Sequence, residues 1–208
     1  MDSYNRQQEV INSLIHGVGI LFGICGFPVL AGLAINHGNT PGIIGSAIYT
    51  FGFLFLFTSS TIYHIATEPA IKKIFKVLDH ISIFFMIAGT YTPFLLVYIN
   101  NSFGYTLLSV LWALTLIGIY FKIRFTGRYE IVSTIIYLAM GWMMVVGGRR
   151  FFDLLPTNVL ILVIIGGGLY SIGVFFYIWD KYLLTHAVWH IFVLAAAIVH
   201  YVAVLLTM

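Results

Sequence analysis

The sequence predicts an all-α integral membrane protein: a seven-transmembrane helix bundle with its N-terminus cytoplasmic and its C-terminus outside. Three observations carry this expectation. Of 208 residues, 61% are hydrophobic and only 8% charged, with a mean hydropathy of +1.01. A soluble domain carries roughly 25% charged residues, so this chain cannot cover a water-facing surface. The apolar residues fall into seven runs, each near the roughly 20 residues that cross a bilayer as a helix. Finally, the cationic residues alternate from one connection to the next. Arg6, Lys72, Lys73, Lys76, Lys122, Arg124, Arg128 and Lys181 fall on one side, against Arg149 and Arg150 on the other. Positive residues favour the cytoplasmic side, and this bias sets the orientation.

The first span, 13–35, follows a polar start. It is longer than the 7–15-residue core of a cleavable signal peptide, and no small-x-small site follows, so it reads as retained. It carries Gly17, Gly19, Gly23 and Gly26, and Gly19-x-x-x-Gly23 offers a small-residue face for close helix packing. Cys25, the only cysteine, excludes an intrachain disulfide and a cysteine-based zinc site; in its apolar run it reads as a small buried hydrophobe. The second span, 43–66, ends in Ser59-Ser60-Thr61-Ile62-Tyr63-His64. The third, 79–99, opens on Asp79-His80 and contains Thr90-Tyr91-Thr92-Pro93. Proline there should kink the helix, with threonine hydroxyls available to the freed backbone groups.

Spans four and five cover 104–122 and 131–148, and Arg149-Arg150 beyond them faces Asp153 as an interfacial anchor. The sixth, 158–179, contains Gly166-Gly167-Gly168, a hinge or a close crossing. The seventh, 182–206, holds no Asp, Glu, Lys or Arg. Connections are short, and neither a repeat nor a low-complexity tract interrupts them, so residues 1–208 read as a single membrane domain. The net charge of +3 is scattered over short loops, which excludes a nucleic-acid-binding patch.

Ionisable residues within spans are costly and point to function. His186 and His190, four apart in the last span, share one helix face. Ser60 and His64 repeat that spacing in the second span. On the predicted topology His64, Asp79, His186, His190 and Ser60 all lie at one membrane depth, near the cytoplasmic ends of their helices. Three neutral imidazoles with one open position are a catalytic zinc arrangement. His64, His186 and His190 are therefore candidate ligands for Zn2+. Asp79 is a candidate base for a water that the metal activates, or a partner to a ligand, and Ser60 a hydrogen-bond donor. His80, one residue on, faces about 100° away and is left outside the group. Glu9 and His16, two turns apart at the entry of the first span, either face the same site or bind headgroups. His200, ten residues past His190, is too far along the helix for the same metal, and His37 falls in an outer loop.

Taken together, Ser60-x-x-x-His64, Asp79 at the start of a span and His186-x-x-x-His190 in the last one resemble the progestin and adipoQ receptor family, and within it the bacterial hemolysin III branch. Glu9-Val10-Ile11-Asn12-Ser13-Leu14-Ile15-His16-Gly17, Leu78-Asp79-His80 and Ala88-Gly89-Thr90-Tyr91-Thr92-Pro93 extend the match over nearly the whole chain. The resemblance implies a seven-helix bundle with an intramembrane zinc bound by His64, His186 and His190, accompanied by Ser60 and Asp79. Relatives in the wider grouping cleave lipid amides. The expected function is thus zinc-dependent hydrolysis of lipid amides or esters, ceramidase-like, with a role in membrane lipid homeostasis. The alternatives are a non-catalytic zinc-stapled sensor or regulator and, last, a pore-forming haemolysin; few polar residues outside the cluster are available to line a pore. Membrane lipids are the expected partners and a bacterial inner (cell) membrane the expected location. The chain has no long soluble N-terminal region, so a protein hormone is not an expected ligand.

Overall fold

The computed structural model describes residues 3–179 and 184–208. Among them there are only helices: α1 (Ser3–Asn36), α2 (Thr40–Ile65), α3 (Pro69–Val97), α4 (Ser102–Phe125), α5 (Glu130–Gly141), α6 (Met143–Leu154), α7 (Thr157–Ile178) and α8 (Thr185–Leu205). The first residues of the expected seventh span, and Lys181, lie outside the described residues. Seven helical segments are long and apolar enough to cross a membrane, with α5 and α6 together forming the fifth, Glu130–Leu154.

Neighbouring helices follow the order α4–α3–α2–α1–α8–α7, and α5 bridges α7 back to α3. Small residues set the closest approaches. A Cβ on Gly19 would lie 2.2 Å from the Phe57 ring, and one on Gly23 2.7 Å from Leu54, so the Gly19-x-x-x-Gly23 face seats α1 on α2. Gly166 does the same between α7 and α8: a Cβ there would come within 2.2 Å of the His200 ring. The glycine triplet thus contains a close crossing at its first member. Asn39 and Asn101 cap α2 and α4, accepting from Gly42 N at 2.9 Å and from Phe103 N at 3.0 Å. Each side-chain oxygen satisfies backbone donors that the first helical turn leaves open.

Five expectations are corrected or refined. Asp79 does not open its helix: α3 begins ten residues earlier, at Pro69 after Glu68. Lysines at 72, 73 and 76 lower the hydropathy of this first stretch but leave its helical tendency intact, since lysine is a good helix former. α1 likewise begins at Ser3, before its apolar run, because Arg6, Gln7, Gln8 and Glu9 are good helix formers. The fifth span is broken at Trp142, whose φ of −96° and ψ of 18° lie off the helix, and α6 is interrupted again by Gly148 at φ 56°. Cys25 is exposed, not buried, because α1 is an outer helix and only one of its faces meets protein. At Pro93 the threonine hydroxyls are engaged, Thr90 donating to Met86 O at 2.7 Å and Thr92 to Ala88 O at 2.8 Å, rather than to groups that the proline frees. Arg149 does reach Asp153, at 3.8 Å on an exposed face.

Candidate metal centre and its cavity

The end of the bundle where α1 and α8 begin gathers the ionisable residues. His64 sits in the last turn of α2, and His186 and His190 lie one turn apart at the start of α8. Among the described residues they form a group in which one ring nitrogen from each lies within 4.8 Å of the others. Ring centroids are 4.9 Å apart for His64 and His190, 4.6 Å for His186 and His190, and 5.5 Å for His64 and His186. His64 and His190 are buried. Their Nε2 atoms face each other at 3.0 Å.

Two residues of α1 complete this arrangement. The Glu9 carboxylate contacts His64 Nδ1 at 2.5 Å and accepts from Lys72 Nζ at 2.7 Å. On the other side His16 Nε2 meets His190 Nδ1 at 2.6 Å. An unbroken chain therefore runs Lys72–Glu9–His64–His190–His16. A carboxylate only accepts, so His64 Nδ1 carries the proton and its Nε2 presents a lone pair. If His190 donates from Nδ1 to His16, both facing Nε2 atoms present lone pairs, an arrangement that a cation between them stabilises. If His190 instead donates from Nε2 to His64, the chain is a row of neutral hydrogen bonds. Three imidazole nitrogens, one held by a carboxylate, form a donor set suited to zinc and to other late transition metals.

Ser60 lies one turn from His64 on α2. Its Oγ is buried, with the Asp79 carboxyl as the polar group within its reach. Asp79, on the third turn of α3, stands within electrostatic reach of Ser60, His64, His80 and His186. Ser60, Asp79, His186 and His190 all line one cavity of about 570 Å³. His80 does not join the three histidines. It turns to α5, with Nε2 3.5 Å from Glu130, and Glu130 also accepts from the fully buried Lys122 at 2.6 Å. His37 is bonded to the Met208 carbonyl at 3.1 Å, at the opposite end of the bundle.

The cavity runs from the histidines between α3, α5, α7 and α8 as far as His200. Its walls are mainly aliphatic and aromatic. It reaches the outer surface between α5 and α7, where its lining residues Ile131 and Ile178 are 66% and 61% exposed. Such a chamber has the dimensions and apolar walls that suit an apolar ligand.

Glu9 and His16 were legible as candidates only through their two-turn spacing. The fuller signal was a polar stripe, Glu9, Asn12, Ser13 and His16, at i, i+3, i+4 and i+7 inside an otherwise apolar helix. Asn12, Ser13 and His16 are all buried, and Ser13 donates to Thr61 O at 3.2 Å.

Comparison with known proteins agrees with this architecture. The chain is 40% identical to the hemolysin-3 homolog of Bacillus subtilis over 97% of this chain and 95% of that protein. It is 36% identical to hemolysin-3 of Bacillus cereus over 96% of this chain and 91% of that one. A more distant likeness, 29% over 85% of this chain, is to the human monocyte to macrophage differentiation factor, of which it covers 77%. No solved structure matches. The model of the haemolysin-III related family matches residues 4–201. With seven apolar helices and bacterial relatives this similar along their whole length, the chain is a multi-pass integral protein of the bacterial cell membrane and belongs to the haemolysin-III related family.

Proposed function

We propose that this protein is a zinc-dependent intramembrane hydrolase that cleaves lipid amides or esters. The observation that supports this best is the placement of the three histidines. They stand at the polar end of a largely apolar cavity that opens toward lipid and is also lined by Ser60 and Asp79. His64, His186 and His190 would hold the zinc ion, which when bound would supply Lewis acidity to polarise a carbonyl and lower the pKa of water to about 7.

The remaining work falls to the chain. Glu9 holds His64 in the tautomer that presents Nε2 to the centre. The cavity walls lay an acyl chain along α7 and α8, with its carbonyl at the histidine end. Asp79 takes the proton of the attacking water and returns it to the leaving amine or alcohol. The buried Ser60 hydroxyl donates to the oxygen on which negative charge develops, a contact worth most where water is excluded. On the charge-based orientation, water reaches this end from the cytoplasm.

Mass spectrometry of lipids incubated with purified protein tests the reading. Ceramides or acyl lipids are consumed by the wild type and spared with chelator or with His186→Ala. Identical lipid profiles in all three conditions refute hydrolysis. One observation favours a second reading, a zinc-stapled sensor: the chain from Lys72 to His16 ties α1, α2, α3 and α8 together. In that case chelation lowers the melting temperature while no lipid turns over.

A further inference from the structure

The far end of the cavity carries polar groups that hydrolysis at the histidine end does not use. His200 and Tyr170 line it. They lie on α8 and α7, with ring centroids 5.6 Å apart. His200 Nε2 is 3.2 Å from Val163 O. A carbonyl only accepts, so Nε2 carries the proton and His200 Nδ1 presents a lone pair. That Nδ1 is buried without a partner, and so is the Tyr170 hydroxyl.

Their neighbours make the contrast clear. Tyr91 donates to Gly141 O at 2.6 Å, Trp142 to Ser171 Oγ at 3.0 Å, and Ser171 to Gly167 O at 2.8 Å. The polar lining around them is satisfied; only the acceptor on His200 and the hydroxyl on Tyr170 are left over. At this depth no bulk water compensates, and an unsatisfied polar group is costly. The His200 ring rests directly on Gly166, where a Cβ would lie 2.2 Å from it.

We propose that His200 and Tyr170 form a hydroxyl-binding subsite at the blind end of the cavity, which selects lipids hydroxylated in the middle of an acyl chain. A hydroxyl can both donate to His200 Nδ1 and accept from Tyr170 Oη, and an alcohol carried on an acyl chain brings it into the apolar cavity. The ten residues from His190 to His200 span roughly 15 Å of helix. An acyl chain with its carbonyl at the histidine centre therefore reaches this pair near its middle. The inference rests on reading the cavity as a lipid chamber but not on turnover.

Equilibrium binding to the full-length protein in phospholipid nanodiscs tests it, with three probes: stearic acid, stearic acid hydroxylated at mid-chain, and stearic acid hydroxylated beside the carboxyl. The wild type should bind the mid-chain hydroxy acid about tenfold tighter than stearic acid, as expected for one or two new buried hydrogen bonds. The hydroxyl beside the carboxyl should bring no gain. Tyr170→Phe and His200→Phe should each erase the preference and leave the affinity for stearic acid nearly unchanged. Tyr170→Phe should also leave the melting temperature unchanged or raised, because it removes an unpartnered hydroxyl. Equal affinities in the wild type overturn the subsite, as does a preference that survives Tyr170→Phe. A lower melting temperature in Tyr170→Phe with no change in preference also overturns it, pointing to a structural water between the two groups. If no acid binds, the subsite and the lipid chamber fall together. If the hydroxyl preference holds but the lipid profiles above do not change, hydrolysis alone fails.

Discussion

Replacing Glu9 by glutamine changes almost nothing in volume and removes a charge from the most tightly connected contact of the centre. Glu9 engages both His64 Nδ1, at 2.5 Å, and Lys72 Nζ, at 2.7 Å. Glutamine offers one acceptor oxygen for these two donors, and its amide group must face one of them. Either His64 loses the partner that fixes its tautomer, or Lys72 is left uncompensated beside the histidines. Carboxylate partners of metal-binding histidines typically contribute 10–100-fold in metal affinity, about 1.4–2.7 kcal/mol. Glu9→Gln should therefore weaken zinc binding within that range. Adding Lys72→Met should recover part of the loss, since it removes the uncompensated cation. The assay is competition against a chromophoric zinc chelator in detergent, with the melting temperature of the metal-free protein as the folding control. A change of less than about threefold in a normally folded Glu9→Gln protein refutes the role assigned to Glu9.

Three further outcomes are expected. Gly19→Leu should destabilise the protein by about 1–3 kcal/mol through overpacking against Phe57, whereas Gly17→Leu, with nothing within 4 Å of the added carbon, should be nearly neutral; equal melting temperatures for the two variants contradict the α1–α2 seam. Lys122→Met should cost about 1–3 kcal/mol, less than for a fully buried pair because Glu130 is 30% exposed and solvent relieves the charge left behind; an unchanged melting temperature refutes this. In a Cys25→Ser background, a membrane-impermeant thiol reagent should label Asn100→Cys in intact cells and Lys73→Cys only after permeabilisation, and the reverse pattern overturns the charge-based orientation.

Long apolar runs made the seven crossings readable, because nothing but a helix satisfies its own backbone in hydrocarbon. Helix ends were less readable. The stretch from Pro69 to Leu78 alternates lysine with isoleucine, phenylalanine and valine, which lowers hydropathy without disfavouring helix, so α3 reaches ten residues further than its apolar core. The break at Trp142 has no proline to announce it. Cys25 shows a different limit: lipid and protein interior are equally apolar, so composition cannot tell which face of α1 looks outward. Within the candidate site, His64, His186 and His190 could be brought to one depth by charge counting and helix rise alone. The contacts of Glu9 and His16 could not, because they depend on how α1 is rotated against α2 and α8. That rotation is set by Gly19 and Gly23 against α2, and by Gly26 against Tyr201 of α8.

The His16–His190 contact joins residues 174 positions apart, on the first and the last of the eight described helices. Of the polar stripe on α1, Glu9 and Ser13 find their partners on α2 and α3, whereas His16 finds its partner only on α8. Until α8 arrives, His16 must keep water or a chaperone beside it, and the histidine cluster does not exist in any form. The protein thus assembles its histidine cluster in the same event that closes the bundle. A bundle without α8 therefore leaves His16 on α1 without the partner that the closed bundle gives it.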